Sequence, residues 1–456
     1  MKKTVIFLLA LMCRAAALCM DGPTGTLPVM HIETQNHQSI VSKTEYIPGT
    51  YFIVDNTTPD MNIGTETSPL ALEIRGRGHS SWKGLKKPYK IKLADKMPLL
   101  GMNKHKHWAL LKFYEPTVAG MQLGRIMGMD WTPTTKPVEV VLNGVYLGIY
   151  LLTETNRISK NRLNIYEQPN WNEDESSIPY GWLVEVDNYY EFNQISFREN
   201  NSWFMRVTYH SPDSLSVAQR NWLLGEFQRM NTAIYDDDKT RGEWEKLIDV
   251  DAMARFFIIQ EVLDNSDGFH GSFYLHKDWA DDARWVAGPL WDLSCNQRVK
   301  TDYTFNMPTS YGFTPHWIGE LIKDDDFCAA VRKAWEKFYP QEIEPWMEYI
   351  DEHLQPCGEA FEQEKILWNY TSPATLAERT EKLKSALRAN IEWVNKNLPG
   401  HNTPVDEIVY AAKEVAKVDY FNLAGLCSSM PWNGVNIKVT TYVDGSTSTA
   451  KIIVNH

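Results

Sequence analysis

Glu261-Val-Leu-Asp-Asn-Ser-Asp-Gly-Phe-His-Gly-Ser-Phe-Tyr-Leu-His-Lys-Asp-Trp-Ala-Asp-Asp-Ala-Arg-Trp-Val-Ala-Gly-Pro-Leu-Trp-Asp-Leu-Ser-Cys-Asn296 is the stretch on which the reading of the whole chain turns. Two β-like runs within it, Ser272–Lys277 and Arg284–Asp292, flank a polar turn at Ala280–Asp282, the pattern of an antiparallel hairpin. Asp267 and Asp292 stand at equal distances from that turn. The hairpin therefore brings both carboxylates to its open end, from a few ångströms to about 10 Å apart at a strand spacing of about 4.8 Å. Two carboxylates so placed suit a divalent cation and a proton acceptor. They suit phosphoryl transfer in particular, which needs one carboxylate at the acceptor hydroxyl and another on the metal that bridges the phosphates. The plainer reading makes Asp267 a turn residue beside Gly268 and Asp292 a solvated strand end.

Upstream of this stretch, Val217–Ile234 and Asp249–Leu263 have helical periodicity, the second with Asp249 as N-cap. Before them the pattern is mainly β. Val29–Glu33, Thr50–Val54, Ala71–Arg75, Tyr89–Leu93, Trp108–Phe113, Val138–Leu142, Tyr146–Leu152, Gly181–Asp187 and Trp203–Tyr209 read as strands, with a short helix at Met121–Met129 and a hairpin turn at Asn143-Gly144. Downstream, Phe327–Phe338, Pro345–His353 and Leu376–Asn397 read as helices, and Asn436–Tyr442 with Ala450–Val454 as a terminal hairpin. The order implies an α+β protein, β-rich in its first half and helical in its second, with a cleft between two lobes.

Arg75-Gly-Arg-Gly-His-Ser-Ser-Trp82 lies between two of the strands. Its glycines and hydroxyls allow backbone N–H groups to face an anion, and Arg75 and Arg77 add bidentate donors. On the next strand Lys90 and Lys92 share one face, opposite Tyr89, Ile91 and Leu93. A lysine on a strand behind such a turn can reach the phosphates of a nucleotide; otherwise it is a solvated strand face. Glu154 leaves the sheet where the chain would cross between lobes.

The chain has 456 residues and a net charge of −12, without a basic block, which argues against nucleic acid as a partner. Met1-Lys2-Lys3, an apolar run and the small residues Ala15–Ala17 read as a signal peptide over 1–19, so the protein is expected to be exported to the periplasm, the cell surface or the medium. Cys19 raises a lipoprotein anchor as the alternative. No later stretch is long and apolar enough for a membrane helix. Cys295, Cys328, Cys357 and Cys427 show no metal-like spacing, and the sequence leaves disulfide pairing and free thiols equally open. The 17 Trp and 21 Tyr fit a packed body and also sugar-binding faces.

The chain resembles the CotH kinase-like family, named after spore coat protein H. The residues that carry the resemblance are Arg75–Trp82, Lys87-Pro-Tyr-Lys-Ile-Lys-Leu93, Leu99-Leu-Gly-Met102, Trp108-Ala-Leu-Leu111, Tyr146-Leu-Gly-Ile-Tyr-Leu-Leu-Thr-Glu154, Asn265-Ser-Asp-Gly268, Phe273–Asp278 and Gly288-Pro-Leu-Trp-Asp292. These collinear matches run over 27–398, which leaves 401–456 as a C-terminal extension. The resemblance implies a two-lobed, divergent protein-kinase-like fold that uses ATP and Mg²⁺ or Mn²⁺ to phosphorylate protein hydroxyls. It gives Asp267 as the catalytic carboxylate and Asp292 as the metal ligand. It also gives Lys90 or Lys92 to the nucleotide phosphates, Arg75, Arg77 and Ser80 to the glycine-rich turn, and Glu154 to the vicinity of the nucleotide. Ser294 stands where the family has a second acidic position, with Asn296 as its substitute on the metal.

Two other readings stand beside the kinase. One is a non-catalytic pseudokinase that binds an envelope or surface partner, protein or glycan. The other is a sugar hydrolase using the carboxylate pair, which would need them about 5–9.5 Å apart in an open aromatic groove and leaves the basic turn and lysine strand without a use.

Overall fold

A computed structural model describes residues 22–187, 189–199, 204–238, 241–306, 316–400, 415–422, 425–442 and 447–454. The expected signal peptide over 1–19 lies outside them. The chain divides into two compact units, Met1–Pro399 and Gly400–His456.

The alternating runs of the first half form β1 (Val29–Thr34), β2 (Ile47–Val54), β3 (Leu70–Gly76), β4 (Tyr89–Met97), β5 (His105–Lys112), β6 (Thr135–Leu142) and β7 (Val145–Glu154). They close into a barrel in the order β1-β2-β3-β4-β5-β7-β6. Closure comes from β1, which pairs antiparallel with β2 and parallel with β6, Val29 opposite Glu139. Met30, Ile32, Ile53, Ile74, Ile91, Trp108, Val138 and Tyr150 form its core. On β4, Tyr89, Ile91 and Leu93 are buried while Lys90 and Lys92 face outward, as the period-2 pattern requires. Asn143 (φ 52°) and Gly144 (φ 74°) make the tight turn between β6 and β7.

The closed barrel corrects the expectation of a two-lobed kinase form for the β-rich half. Alternation reveals which residues point inward. It does not reveal that the first and sixth strands meet, because that parallel pair joins segments more than a hundred residues apart.

A second sheet is built from β8 (Trp182–Val186), β9 (Gln194–Arg198), β10 (Phe204–Ser211), β11 (Phe273–Lys277) and β12 (Val286–Ala287), in the order β12-β11-β8-β10-β9. The expected hairpin is present, with Leu275 opposite Ala287. Its second arm is only two residues long, because Gly288 has φ 116° and Pro289 offers no N–H to a ladder.

The helices are α1 (Ser80–Lys83), α2 (Glu115–Ile126), α3 (Val217–Ile234), α4 (Val250–Leu263), α5 (His316–Leu321), α6 (Asp325–Phe338), α7 (Ile343–Leu354), α8 (Gly358–Leu367) and α9 (Leu376–Lys396). Asp249 caps α4, its side chain accepting from Ala252 N. From Ala252 to Leu263 only Arg255 escapes burial, so α4 is the central helix of the body rather than an amphipathic surface helix. Phe256 and Phe257 sit in one core with Trp182, Phe227, Leu275 and Trp285. Helix α2 starts six residues earlier than its periodicity implied, since Pro116 is well suited to a first turn.

The second unit holds a four-stranded antiparallel sheet in the order β14-β13-β15-β16, where β13 is Val415–Asn422, β14 Cys427–Ser428, β15 Gly434–Tyr442 and β16 Thr447–Val454. The last two strands are the expected hairpin, and its turn at 443–446 lies outside the described residues. Cys295, Cys328, Cys357 and Cys427 are free thiols. Among the described residues no helix is long and apolar enough to cross a membrane.

Candidate active site

Helix α4 ends at Asp264 in the left-handed conformation (φ 52°) and delivers the Asn265–Gly268 loop. The Asn265 side chain is tied on both sides: Nδ2 donates to Gln260 Oε1 at 2.8 Å, and Oδ1 accepts from Ser294 Oγ at 2.7 Å. Gly268 lies so close to Gln260 that a Cβ would come within 2.3 Å of its amide, which explains why glycine follows the aspartate. The loop is thus fixed at Asn265 and Gly268. Asp267 between them is 66% exposed, with His270 Nε2 at 3.5 Å from its carboxylate.

Asp292 also has a left-handed backbone (φ 51°), a conformation that a non-glycine residue holds only when its surroundings impose it. Its carboxylate is open to solvent yet surrounded by protein on most sides, as at the floor of a cleft. That desolvation raises its pKa; Arg77 and His79 oppose the rise, while the charges of Asp267 and Glu185 add to it. The charge of Asp267 thus reaches Asp292. Arg77 lies over the Trp291 ring, 5.2 Å from its centroid.

Beside these carboxylates a cavity of about 470 Å³ opens between the barrel wall and the second sheet. Arg77 and Lys90 reach it from the barrel side, Asn156 and Arg157 from the segment after β7, and His210 and Tyr274 from the second sheet. Burial, followed by the neighbouring charges of Arg157, Arg75 and Arg77, pushes the Lys90 pKa down to about 7. Burial lowers the Arg77 and Arg157 pKa values as well. Among the described residues none of these three cations makes an ion pair, although Glu167 and Asp213 also line the cavity and their charges oppose the fall at Arg157, as those of Asp292 and Glu185 do at Arg77. Both polar atoms of the Asn156 side chain are buried without a hydrogen-bond partner. On the facing wall His210 Nε2 meets Glu185 at 2.7 Å and its ring stacks on Tyr274 at 5.2 Å.

The remaining residues singled out in the sequence lie elsewhere. Arg75 sits opposite Lys90 in the β3–β4 register, but its guanidinium donates to the Lys43 and Gly76 carbonyls. Lys92 pairs with Glu73 at 2.8 Å on the barrel surface. Ser80 is exposed at the start of α1. Glu154 is buried against Arg162 at 2.5 Å and accepts from Thr134 N at 2.9 Å, so it pins the segment that carries Asn156 and Arg157. Burial raises its pKa and the Arg162 charge opposes the rise. Asn296 turns its amide to the Asp264 carbonyl at 2.6 Å.

The family model described as CotH kinase protein matches residues 73–398. The chain belongs to the CotH kinase protein family. No curated protein matches it.

A CotH kinase protein implies ATP and a divalent metal in general terms, and the residues fit both. The three unpaired cations and the orphaned amide suit a polyphosphate with a polar appendage, and Asp292 offers a hard oxygen donor suited to Mg²⁺ or Mn²⁺. A separate acidic group, Glu245, Asp324 and Asp326, brings three ligand atoms within 4.8 Å of one another. Asp324 there is occupied as the N-cap of α6, accepting from the Asp326 and Phe327 N–H groups and from Trp244 Nε1.

The sequence reading of this CotH kinase protein assigned no role to Arg157, Asn156, His210 or Tyr274. Thr155–Arg157 directly follow Glu154 on the chain, and an arginine at the exit of a strand was the signal available for them.

Proposed function

We propose that the protein is an ATP-dependent phosphotransferase that passes the γ-phosphate to a protein hydroxyl. The observation that carries this reading is the cavity in which Arg77, Lys90 and Arg157 converge without ion-pair partners, next to Trp291 and within the electrostatic reach of Asp292, whose charge acts on Arg77. The cleft between barrel and helical body takes the part that the interlobe cleft plays in a protein kinase. Arg77, Lys90 and Arg157 hold the phosphates, and the charged neighbourhood of Arg75 adds to their field. A divalent cation held by Asp292, with Asn296 nearby on the same loop, would neutralise charge on the transferring phosphoryl group. Asp267, exposed on a rigid loop, accepts the proton of the attacking hydroxyl. Glu154 positions the Asn156–Arg157 segment through Arg162.

Two features complete the reading. A signal peptide over 1–19 would export the kinase domain, 27–398, together with its extension, and its acceptors are then envelope or surface proteins. The second reading, a non-catalytic protein that binds a surface partner or glycan, draws on Ser294: a hydroxyl stands at the position where the resemblance implies a second acid, and it is committed to Asn265.

Labelled ATP with Mg²⁺ or Mn²⁺ tests the two. Label on the protein or an added acceptor, abolished in Asp267→Ala and Asp292→Ala with nucleotide binding kept in the first, supports the kinase. Transfer undiminished in both variants overturns the assignment of these residues. Absence of transfer in the unmodified protein favours the binding role.

A further inference from the structure

Asn156 is an anomaly that the phosphate-binding role does not use. Its Nδ2 and Oδ1 are both buried and both without a partner, although the residue lines a polar cavity. Leaving such a group unsatisfied forfeits its hydration without return, so a native protein rarely does it without a ligand or water to complete the site.

Its backbone is not free to move. Glu154, two residues before it, is locked to Arg162 at 2.5 Å and to Thr134 N at 2.9 Å. Thr155 donates to the His107 carbonyl at 3.3 Å, and buried Ile158, two residues after it, bridges to Leu163. The backbone on both sides of Asn156 is therefore fixed, and the residue lines the same cavity as the cations of the barrel wall and the aromatic His210–Tyr274 pair of the second sheet.

A carboxamide presents one donor and one acceptor side by side. Its natural complement is a planar group carrying one acceptor and one donor at the same spacing. Adenine offers that pair through its 6-amino group and the adjacent ring nitrogen, and asparagine is the side chain that meets it bidentately. Phosphates supply acceptors only, so they would leave Oδ1 orphaned.

We propose that Asn156 reads the base of the bound nucleotide, its Oδ1 accepting from the 6-amino group of adenine and its Nδ2 donating to the neighbouring ring nitrogen. This rests on the reading of the cavity as a nucleotide site. Arg77, Lys90 and Arg157 then give affinity for any polyphosphate, and Asn156 gives preference for the base.

The test compares binding of ATP, of purine riboside triphosphate, which lacks the 6-amino group, and of inorganic tripolyphosphate to the full chain and to Asn156→Leu. The unmodified protein should prefer ATP over the deaminated analogue by roughly 5- to 100-fold, the range for leaving one buried polar group unpaired. Asn156→Leu should bind both nucleosides' triphosphates equally, bind tripolyphosphate as before, and melt at a higher temperature because two orphaned atoms are gone. A preference for ATP that persists in Asn156→Leu, or a lowered melting temperature, would show that the amide is structural and overturn the inference while leaving the nucleotide site intact. Equal binding of ATP and the analogue by the unmodified protein overturns it as well. Failure of the unmodified protein to bind any of the three sinks the nucleotide reading itself, and this inference with it.

Discussion

Two charged clusters of the same unit are built on opposite rules. Below the end of α4, Lys300 Nζ lies 2.8 Å from Glu261 and 3.1 Å from Asp264, Arg298 Nε lies 2.7 Å from Asp264, and Thr304 adds hydrogen bonds to both acids. Glu261, Asp264 and Lys300 are at most 1% exposed, and Lys300 also lies 4.9 Å from the Trp393 ring centre. In the cavity, Arg77, Lys90 and Arg157 converge with no ion pair among the described residues. Charge that folding requires is neutralised where it is buried. Charge gathered without a partner raises the energy of the empty protein, and an anion lowers it again.

The comparison breaks most visibly if the buried cluster is cut. Lys300→Met leaves two carboxylates without their shared cation, and removing one partner of such a cluster costs about 3–5 kcal/mol. Chemical denaturation should show that loss. A change under about 1 kcal/mol, the scale of a surface pair, would mean the cluster is solvated and the contrast with the cavity is false.

The opposite signature belongs to Arg157→Met. Stability should be nearly unchanged, because the removal of a desolvated cation from the neighbourhood of Lys90 and Arg75 is offset by the loss of its attraction to Asp213 and Glu167. Triphosphate affinity should fall roughly 10- to 150-fold, corresponding to one charged hydrogen bond of about 1.5–3 kcal/mol. Calorimetric titration and a thermal melt on the same sample read both effects. Destabilisation with intact affinity would place Arg157 in the folding class instead.

The two clusters also differ in how far the sequence discloses them. Features set by local periodicity are legible: the full span of Val217–Ile234, the Asp249 cap, the Asn143-Gly144 turn and the outward face of Lys90. The hairpin that leads back toward Asp292 is legible too, because it spans a short stretch of chain. The partners of single residues are not. Ser294 looks like a vacant metal position in the sequence, and in the fold it locks Asn265. Glu154 looks like a cleft residue, and its carboxylate is bound to Arg162 eight positions later. The glycines of Arg75–Trp82 read as an anion-binding turn, whereas a Cβ on Gly76 would collide with the Trp82 ring at 2.4 Å. The cavity itself escapes the sequence, since its walls come from residues 77, 90, 109, 155–158, 167–170, 183, 210, 211, 213, 274 and 291, and only barrel closure and the second sheet bring these together.

The smallest effect sharpens the comparison through pH. Lys90, pushed down to about 7, is charged in the empty cavity only below that pH, while in the unfolded chain it stays charged to about 10.4. Because its folded pKa is depressed, its charge is a full penalty on folding below pH 7. The penalty lifts as pH rises toward the unfolded value, for there the unfolded chain binds the extra proton. Anion binding runs the other way. A phosphate favours the charged lysine, so above pH 7 each binding event must take up a proton, and affinity should fall by up to about tenfold, or 1.4 kcal/mol, per pH unit. Titrations at pH 8.5 in two buffers of different ionisation enthalpy count that proton directly. Lys90→Arg keeps the charge at every pH and should bind without uptake, which separates the lysine from the titration of the triphosphate itself. Equal proton uptake by the two proteins would show that Lys90 is charged before the ligand arrives, with Glu167 and Asp213 of the cavity wall supplying the counter-charge.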